Sequence, residues 1–300
     1  MDVVIIGLGL IGGSVGMKLK KSNLGYHIIG IDNNEQHASR ALELGLIDEI
    51  RSLDAVVSAD LVIICTPVDN VLRLLPGILD AIKADGVVMD MGSTKSEICT
   101  LIDKHPKRKS FVATHPIAGT ENSGPDAAFD SLFDGKTGII CDENKSHKNA
   151  LLVVNRIYDL LKLNVVKMDS ASHDLHIAYV SHLSHISSFV LGQTVLEMEE
   201  DEKNIFNMAG SGFASTVRLA KSSPAMWSPI FAQNKEHVSQ SLETYIKNLT
   251  AFKVMVDAAD KDNMFESMTR SNKIRKVLDG IDIQSMNAEP KTKEMINELT

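Results

Sequence analysis

The sequence predicts an α/β protein in which a doubly wound parallel sheet forms the first half and helices alone form the second. Three observations support this prediction. Short β-branched runs alternate with longer helical patterns up to about Asp169, and no convincing strand follows that residue. A glycine-rich turn, "GLGLIG", comes directly after the first predicted strand. We therefore expect a nucleotide-binding sheet followed by a helical region.

Seven segments are predicted strands: "DVVIIG", "HIIGID", "LVIICTP", "GVVMDMG", "SFVATHP", "TGIICD" and "NVVKMD". Helical patterns cover residues 172–199, 213–221, 225–258 and 261–278. We accordingly predict a sheet domain at 1–168, a helical domain at 169–280 and a polar tail at 281–300 with a central proline.

Composition excludes several classes of protein. With 44% apolar and 23% charged residues, the 300-residue chain can bury a sizeable core. Its net charge of -8 argues against nucleic acid or an anionic membrane as a partner. No apolar run reaches bilayer length, and the glycine-broken amino terminus, with Asp2 in place of a basic region, does not resemble a signal peptide. We therefore expect a cytoplasmic protein. Three widely spaced cysteines suggest neither disulfides nor zinc, so we expect reduced thiols.

The glycine-rich turn has the spacing of a dinucleotide-binding loop. Gly7, Gly9 and Gly12 follow the pattern G-x-G-x-x-G between a predicted strand and a predicted helix. The first glycine permits a tight turn, the second lets the backbone approach a pyrophosphate, and the third lets helix and strand pack closely. The amino terminus of the helix offers unpaired N–H groups to the anion. This context predicts a Rossmann-type domain.

Asp32 indicates which dinucleotide is bound. It ends the second predicted strand, twenty residues after Gly12, where a carboxylate accepts hydrogen bonds from the adenosine ribose. The segment "IDNNEQHAS" contains no arginine for a 2′-phosphate, so we predict NAD rather than NADP. A nucleotide-sensing regulator would share this motif. The predicted cofactor-binding residues are Gly7, Gly9, Leu10, Ile11, Gly12, Asp32, Thr66 and Pro67.

The predicted chemistry lies where strands end. Ligands of open α/β sheets bind at the carboxyl ends of the strands, which here are "CTPVD", "DMGSTKSE" and "THPIAGTE". His115 ends the last of these strands, and imidazole is suited to accept a proton near neutral pH. Ser93 and Lys95 are placed to reach a substrate, although Ser93 could instead cap the following helix.

The helical half adds polar candidates. His182 and His185 lie three residues apart on one helical face, and His173 and His176 form a similar pair. No further ligand has a telling spacing, so we expect the histidines to line a pocket and expect no metal. Arg218 has the planar guanidinium suited to a carboxylate, although a surface position is the alternative.

Taken in order, six motifs resemble the prephenate and arogenate dehydrogenases of tyrosine biosynthesis. They are "GLGLIGGS", "DMGSTK", "THPIAGTENSG", "LFDGK", "SHLSH" and "GSGF" followed by Arg218. The resemblance covers roughly residues 1–280. It implies oxidative decarboxylation of prephenate to 4-hydroxyphenylpyruvate with reduction of NAD, and a helical half that forms a homodimer.

The resemblance also assigns roles to individual residues. His115 corresponds to the catalytic histidine that accepts the hydrogen bond of the ring hydroxyl, and Ser93 to the serine that orients it. Arg218 corresponds to the arginine that binds a carboxylate, His185 to a second pocket histidine, and Glu121 to an acidic residue associated with access. The chain departs from the family because Ser215 stands where some relatives have an acidic residue before the arginine.

The sequence leaves several alternatives open. Prephenate and arogenate differ only by a keto or an amino group, and the sequence does not distinguish them. Another two-domain hydroxy-acid dehydrogenase would share the glycine motif but has no reason to carry "THPIAG" and "SHLSH" together. A catalytically silent NAD-sensing regulator is the alternative from a different class.

Overall fold

The computed structural model describes residues 1–202 and 204–286. It divides into two compact units, the first covering Met1–Val238 and the second beginning at Ser239. Among the described residues, no helix is both long and apolar enough to cross a membrane.

The first unit contains an eight-stranded sheet with the order β3-β2-β1-β4-β5-β6-β7-β8. The strands are β1 (Asp2–Ile6), β2 (His27–Ile31), β3 (Glu49–Ile50), β4 (Leu61–Ile64), β5 (Val87–Asp90), β6 (Phe111–Pro116), β7 (Thr137–Cys141) and β8 (Asn164–Met168). All seven predicted strands are confirmed. The sequence did not reveal β3, because two residues are too short to show a periodicity.

One strand pairing departs from the parallel arrangement that the sequence predicts, so that β7 and β8 both run opposite to the other six strands. β7 pairs antiparallel with β6, whereas β8 pairs parallel with β7. A parallel neighbour requires a crossover connection, usually a helix. Residues 117–136 contain no α-helix and only a short 3₁₀ turn at Pro125–Ala127, so the chain returns in the opposite direction.

Helices cover both faces of this sheet. They are α1 (Leu10–Lys21), α2 (Glu35–Glu43), α3 (Val68–Ala81), α4 (Ser96–Leu101) and α5 (Lys148–Leu160). Val3 and Ile5 of β1 belong to one buried cluster, with α1, α2 and α5, while Val4 and Ile6 belong to another, with α3 and α4. Alternate strand residues point to opposite faces. The doubly wound prediction is therefore confirmed.

The described part of the chain after β8 is helical, as predicted. Its helices are α6 (Ser170–Ile177), α7 (Leu183–Glu202), α8 (Ser211–Val217), α9 (Pro224–Gln233), α10 (Lys235–Asp257), α11 (Lys261–Ser271) and α12 (Arg275–Met286). The single predicted helix at 172–199 is interrupted by a π-helical turn at Ala178–His182. The predicted tail at 281–300 begins within α12, and residues 287–300 lie outside the described residues.

Candidate active site

The glycine-rich turn joins β1 to α1, and its glycines are required by close contacts. Gly7 has a φ of +92°, and a Cβ there would lie 2.8 Å from the carbonyl group of Cys65. A Cβ on Gly12 would lie 1.9 Å from the carbonyl oxygen of Gly7. Above Gly9 there is room, because the nearest atom to its Cβ position is the nitrogen of Gly124 at 3.9 Å. The turn and the start of α1 can only pack this way with glycine at both 7 and 12.

The amino terminus of α1 is suited to an anion. Gly9 is its N-cap, no side chain caps it, and its first turn has no acidic residue. The N–H groups of Leu10 and Ile11 belong to the first turn, where amides have no acceptor within the helix. These donors and the space above Gly9 fit a pyrophosphate.

Asp32 is held at the end of β2 by backbone donors. Its carboxylate accepts the N–H of Leu8 at 2.7 Å and the N–H of Asn34 at 2.9 Å. The nearest arginine in the sequence after it, Arg40, pairs with Asp126 at 2.7 Å. A 2′-phosphate would therefore meet the charge of Asp32, and Arg40 is already engaged by a carboxylate, which favours NAD.

Thr66 and Pro67 lie beside the glycine turn. They follow β4, and the N–H of Cys65 donates to the carbonyl oxygen of Ile6 at 2.7 Å. The nitrogen of Thr66 would lie 3.0 Å from a Cβ on Gly7. The fold thus brings the predicted cofactor residues together at the carboxyl ends of β1, β2 and β4.

The segment after β5 corrects two interpretations of the sequence. Lys95 does not reach a substrate, because its side chain is fully buried and pairs with Asp90. Ser93 is half-buried and does not cap α4. Instead, the carboxylate of Asp174 accepts the N–H groups of Lys95 and Ser96, both at 2.8 Å. A buried ammonium group needs a carboxylate partner, and this requirement turns Lys95 inward.

His115 lies in β6 with 7% of its surface exposed. Its Nδ1 is 2.8 Å from Nε2 of His173, and Nδ1 of His173 is 2.7 Å from a carboxylate oxygen of Asp174. Both partners come from α6 and are buried. Burial lowers the pKa of His115 well below its ordinary value of 6.5, and nearby His173, Lys95 and His182 lower it further. The ring is therefore neutral at physiological pH and able to accept a proton.

His182 and His185 face the same tryptophan. The ring of His185 stacks on Trp227 with centroids 3.5 Å apart, and the ring of His182 meets Trp227 edge-on at 6.0 Å. Nδ2 of Asn234 lies 3.2 Å from Nδ1 of His182. Burial lowers the pKa of His182 to about 4 and also lowers the pKa of His185. Among the described residues, Nε2 of His182 and Nε1 of Trp227 have no hydrogen-bond partner.

Glu121 supplies a carboxylate to Arg218. An Nη1 atom of Arg218 lies 3.4 Å from Oε2 of Glu121, and the Arg218 side chain is 53% exposed. Glu121 lies in the segment after β6, whereas Arg218 begins a 3₁₀ turn at Arg218–Lys221. The position before Arg218 where some relatives have an acidic residue is occupied by Ser215, which is exposed. In this chain Arg218 therefore takes its acidic partner from a segment distant in sequence.

Sequence reasoning missed His173 and Asp174. It paired His173 with His176 on one helical face, but the structure buries His173 against His115 and leaves His176 exposed. The adjacent "HD" in the sequence was the available signal. That signal carried no information about the partner, because His115 lies 58 residues earlier in the chain.

The fold and this site define a dehydrogenase of the Rossmann class, with a dinucleotide loop and a neutral buried histidine on a nearby strand. Comparison with known families agrees. Residues 15–167 match the prephenate dehydrogenase nucleotide-binding domain, and residues 169–270 match the prephenate dehydrogenase dimerization domain. The chain belongs to the prephenate dehydrogenase family.

Individual relatives support this membership over nearly the whole chain. The prephenate dehydrogenase of Bacillus subtilis is 32% identical, over 96% of this chain and 78% of that protein. The cyclohexadienyl dehydrogenase of Zymomonas mobilis is also 32% identical, over 92% of this chain and 95% of that protein. A crystal structure of Aquifex aeolicus prephenate dehydrogenase in complex with hydroxyphenyl propionate and NAD+ is 33% identical, with a TM-score of 0.83, covering 93% of this chain and 98% of that one.

Proposed function

We propose that the protein catalyses the NAD-dependent oxidative decarboxylation of prephenate to 4-hydroxyphenylpyruvate in tyrosine biosynthesis. The observation that carries this proposal is His115, a neutral buried imidazole whose Nδ1 is hydrogen-bonded and whose Nε2 is left for a ligand. Family membership supplies the substrate class.

The cofactor would be held at the carboxyl ends of β1, β2 and β4. The loop from Gly7 to Gly12, including the N–H groups of Leu10 and Ile11, would bind the pyrophosphate, and Asp32 would accept the ribose hydroxyls. Thr66 and Pro67 would line the nicotinamide side. When bound, NAD+ accepts the hydride from the hydroxyl-bearing ring carbon of the substrate.

His115 would take the proton that the substrate hydroxyl loses. As hydride leaves, the ring carbon becomes electron-poor, and transfer of the hydroxyl proton to Nε2 of His115 relieves that charge. The bond to the ring carboxylate then breaks, carbon dioxide leaves, and the electron pair enters the ring as it becomes aromatic. His115 returns the proton to the ring oxygen. Ser93 would orient the hydroxyl group beside His115.

The substrate carries two carboxylates, so an acidic protein needs local donors to hold it. Arg218 would bind one carboxylate, because a guanidinium presents paired donors to two oxygens. Its ion pair with Glu121 is long, at 3.4 Å, and more than half of the side chain is exposed, so the substrate can compete for it. His185 and His182 would line the pocket beside Trp227.

We further propose a homodimer formed through the helical region. α10 and α11 carry large exposed apolar side chains, namely Ile246, Leu249, Phe252, Phe265 and Met268. Large exposed apolar side chains of this kind are typical of association surfaces. The match to a dimerization domain supports the same proposal.

The predicted domain boundary at 168/169 is supported by the family matches, because the first match ends at residue 167 and the second begins at residue 169. A cytoplasmic location remains a prediction.

The test is direct. Purified protein is incubated with NAD+ and prephenate, and NADH absorbance is followed; in parallel, the same protein is given arogenate. The second substrate is included because the relative named cyclohexadienyl dehydrogenase is as similar to this chain as the B. subtilis prephenate dehydrogenase is, at 32% identity. Higher kcat/KM with prephenate supports the proposal, and higher kcat/KM with arogenate reassigns the substrate. Absence of NADH formation with both substrates leaves another two-domain hydroxy-acid dehydrogenase or an NAD-sensing regulator.

A further inference from the structure

A buried hydrogen-bonded chain runs from His115 to the amino terminus of α4. Nδ1 of His115 lies 2.8 Å from Nε2 of His173, whose Nδ1 lies 2.7 Å from Oδ1 of Asp174. Asp174 in turn accepts the N–H groups of Lys95 and Ser96 at the start of α4, each at 2.8 Å. The exposed fractions of His115, His173 and Asp174 are 7%, 0% and 2%. Water therefore has little access to compete for these hydrogen bonds.

Asp174, the acceptor at the end of this series of hydrogen bonds, fixes which ring nitrogens carry a hydrogen. Burial acts to raise the pKa of Asp174, but hydrogen bonds from His173, Ser96 and Lys95 outweigh it and the net pKa is lowered. A carboxylate only accepts hydrogen bonds, so Nδ1 of His173 must carry a hydrogen. When His173 is neutral, that is its only ring hydrogen, and its Nε2 can only accept.

The hydrogen position on His173 also fixes the one on His115. Because Nε2 of His173 accepts, Nδ1 of His115 must donate. A neutral His115 then has its hydrogen on Nδ1 and a free electron pair on Nε2. This tautomer is the one that can accept a proton from a substrate hydroxyl. The opposite tautomer would place two acceptor nitrogens 2.8 Å apart with no hydrogen between them.

We propose that Asp174 and His173 are positioning residues that hold His115 in the tautomer with a basic Nε2. They act through His115 and do not contact the substrate. The anchor is rigid, because the same carboxylate holds the first turn of α4, and Ser96 Oγ donates to the carbonyl oxygen of Ser170 at 3.0 Å, which ties α4 to α6. The chemical role of this tautomer rests on the proposed function, whereas its existence does not.

The first test measures the tautomer itself in the wild-type protein. The histidines are labelled with ¹⁵N, and long-range ¹H–¹⁵N spectra are recorded at a pH above the ordinary histidine range, with and without NAD+. The His115 signals are identified by their loss in His115→Asn. We expect a protonated Nδ1 and an unprotonated Nε2 on His115. A hydrogen on Nε2 of His115 overturns the proposal. It would arise if Nε2 of a doubly protonated His173 donated to Nδ1 of His115, or if His115 adopted the other tautomer for another reason.

The second test removes the link. In His173→Phe, a hydrogen on Nδ1 of His115 would be buried without an acceptor, so the ring shifts its hydrogen to Nε2 and loses its basic atom. We expect kcat to fall roughly 10–100-fold, with KM changed less than about threefold. The matched control is His176→Phe, an exposed histidine on the same helix, which should leave kcat and the His115 tautomer unchanged.

The two tests separate the two proposals. If the wild type oxidises neither substrate but His115 carries its hydrogen on Nδ1, the proposed function fails and the positioning role of His173 and Asp174 stands. If the wild type is active and His173→Phe is folded with unchanged kcat, the positioning role fails and the proposed function stands. A parallel fall of kcat in His176→Phe would show that the loss comes from damage to α6 rather than from the lost contact with His115.

Discussion

Replacing His115 by asparagine is the decisive perturbation of the proposed mechanism. Asparagine keeps a polar group of similar reach but has no nitrogen that titrates near neutral pH. If His115 takes the hydroxyl proton as hydride leaves, the loss falls on the transition state. We expect kcat to decrease roughly 10²–10⁴-fold, the usual contribution of a positioned acid–base group. This corresponds to about 3–5 kcal/mol of transition-state stabilisation, with KM much less affected.

The pH profile carries a second expectation, and here the structure changes what the sequence predicts. An unperturbed histidine would give an acid limb near 6.5. Burial, followed by the neighbouring His173, Lys95 and His182, lowers the pKa of His115 well below 6.5. The base works when neutral, and a lowered pKa keeps it neutral to lower pH. The kcat of the wild type should therefore stay constant as the pH falls through 6.5 and decline only well below that value.

Acid unfolding must be separated from this titration. The pKa of His182 is lowered by burial from 6.5 to about 4, so the unfolded chain binds a proton at this residue that the folded chain excludes. The contribution of neutral His182 to the free energy of unfolding is fully present above pH 6.5. It is lost as the pH drops toward about 4, and the loss amounts to about 3 kcal/mol for this group alone. Circular dichroism at each pH identifies the range in which the protein is folded, and kcat is interpreted only there.

The assay is steady-state NADH formation at saturating NAD+ and prephenate, with His176→Asn as an exposed histidine control. A folded His115→Asn protein with near-wild-type kcat would refute the assignment and shift attention to His185. A wild-type acid limb at or above 6.5 would refute the argument from burial.

Three further predictions follow from other parts of the structure. The kcat/KM with NAD+ should be far higher than that with NADP+. Asp32→Ser combined with Asn33→Arg should reduce this difference or reverse it. A wild-type preference for NADP+ contradicts the interpretation of Asp32. Arg218→Ala should raise the KM for prephenate roughly 5–150-fold, because a charged hydrogen-bonded contact that is half exposed contributes about 1–3 kcal/mol to binding. An unchanged KM would show that Arg218 is an ordinary surface residue. Gly12→Ala should abolish NAD+ binding or folding, because its Cβ would lie 1.9 Å from the carbonyl oxygen of Gly7; calorimetric NAD+ titration with wild-type affinity would contradict this.

The sequence by itself determined the positions of seven strands, the helical second half and the cofactor end of the site. Strand-like runs and the helical second half are local periodicities, and these follow from the side-chain directions of strands and helices. The glycine spacing and Asp32 are also local, because the loop, the strand end and the helix start lie within 32 residues of the amino terminus. Local rules suffice where the functional group is formed by one βαβ unit.

Only the tertiary structure decided which polar residues meet at the chemical end. Lys95 looked like a substrate ligand, but packing places it next to Asp90 in the interior. Its neighbour Asp174 lies 79 residues further along the chain, yet holds the start of α4 and, through His173, the ring of His115. The sequence leaves such pairings open because burial and hydrogen-bond demand act between elements that are adjacent only once the sheet and α6 have packed together.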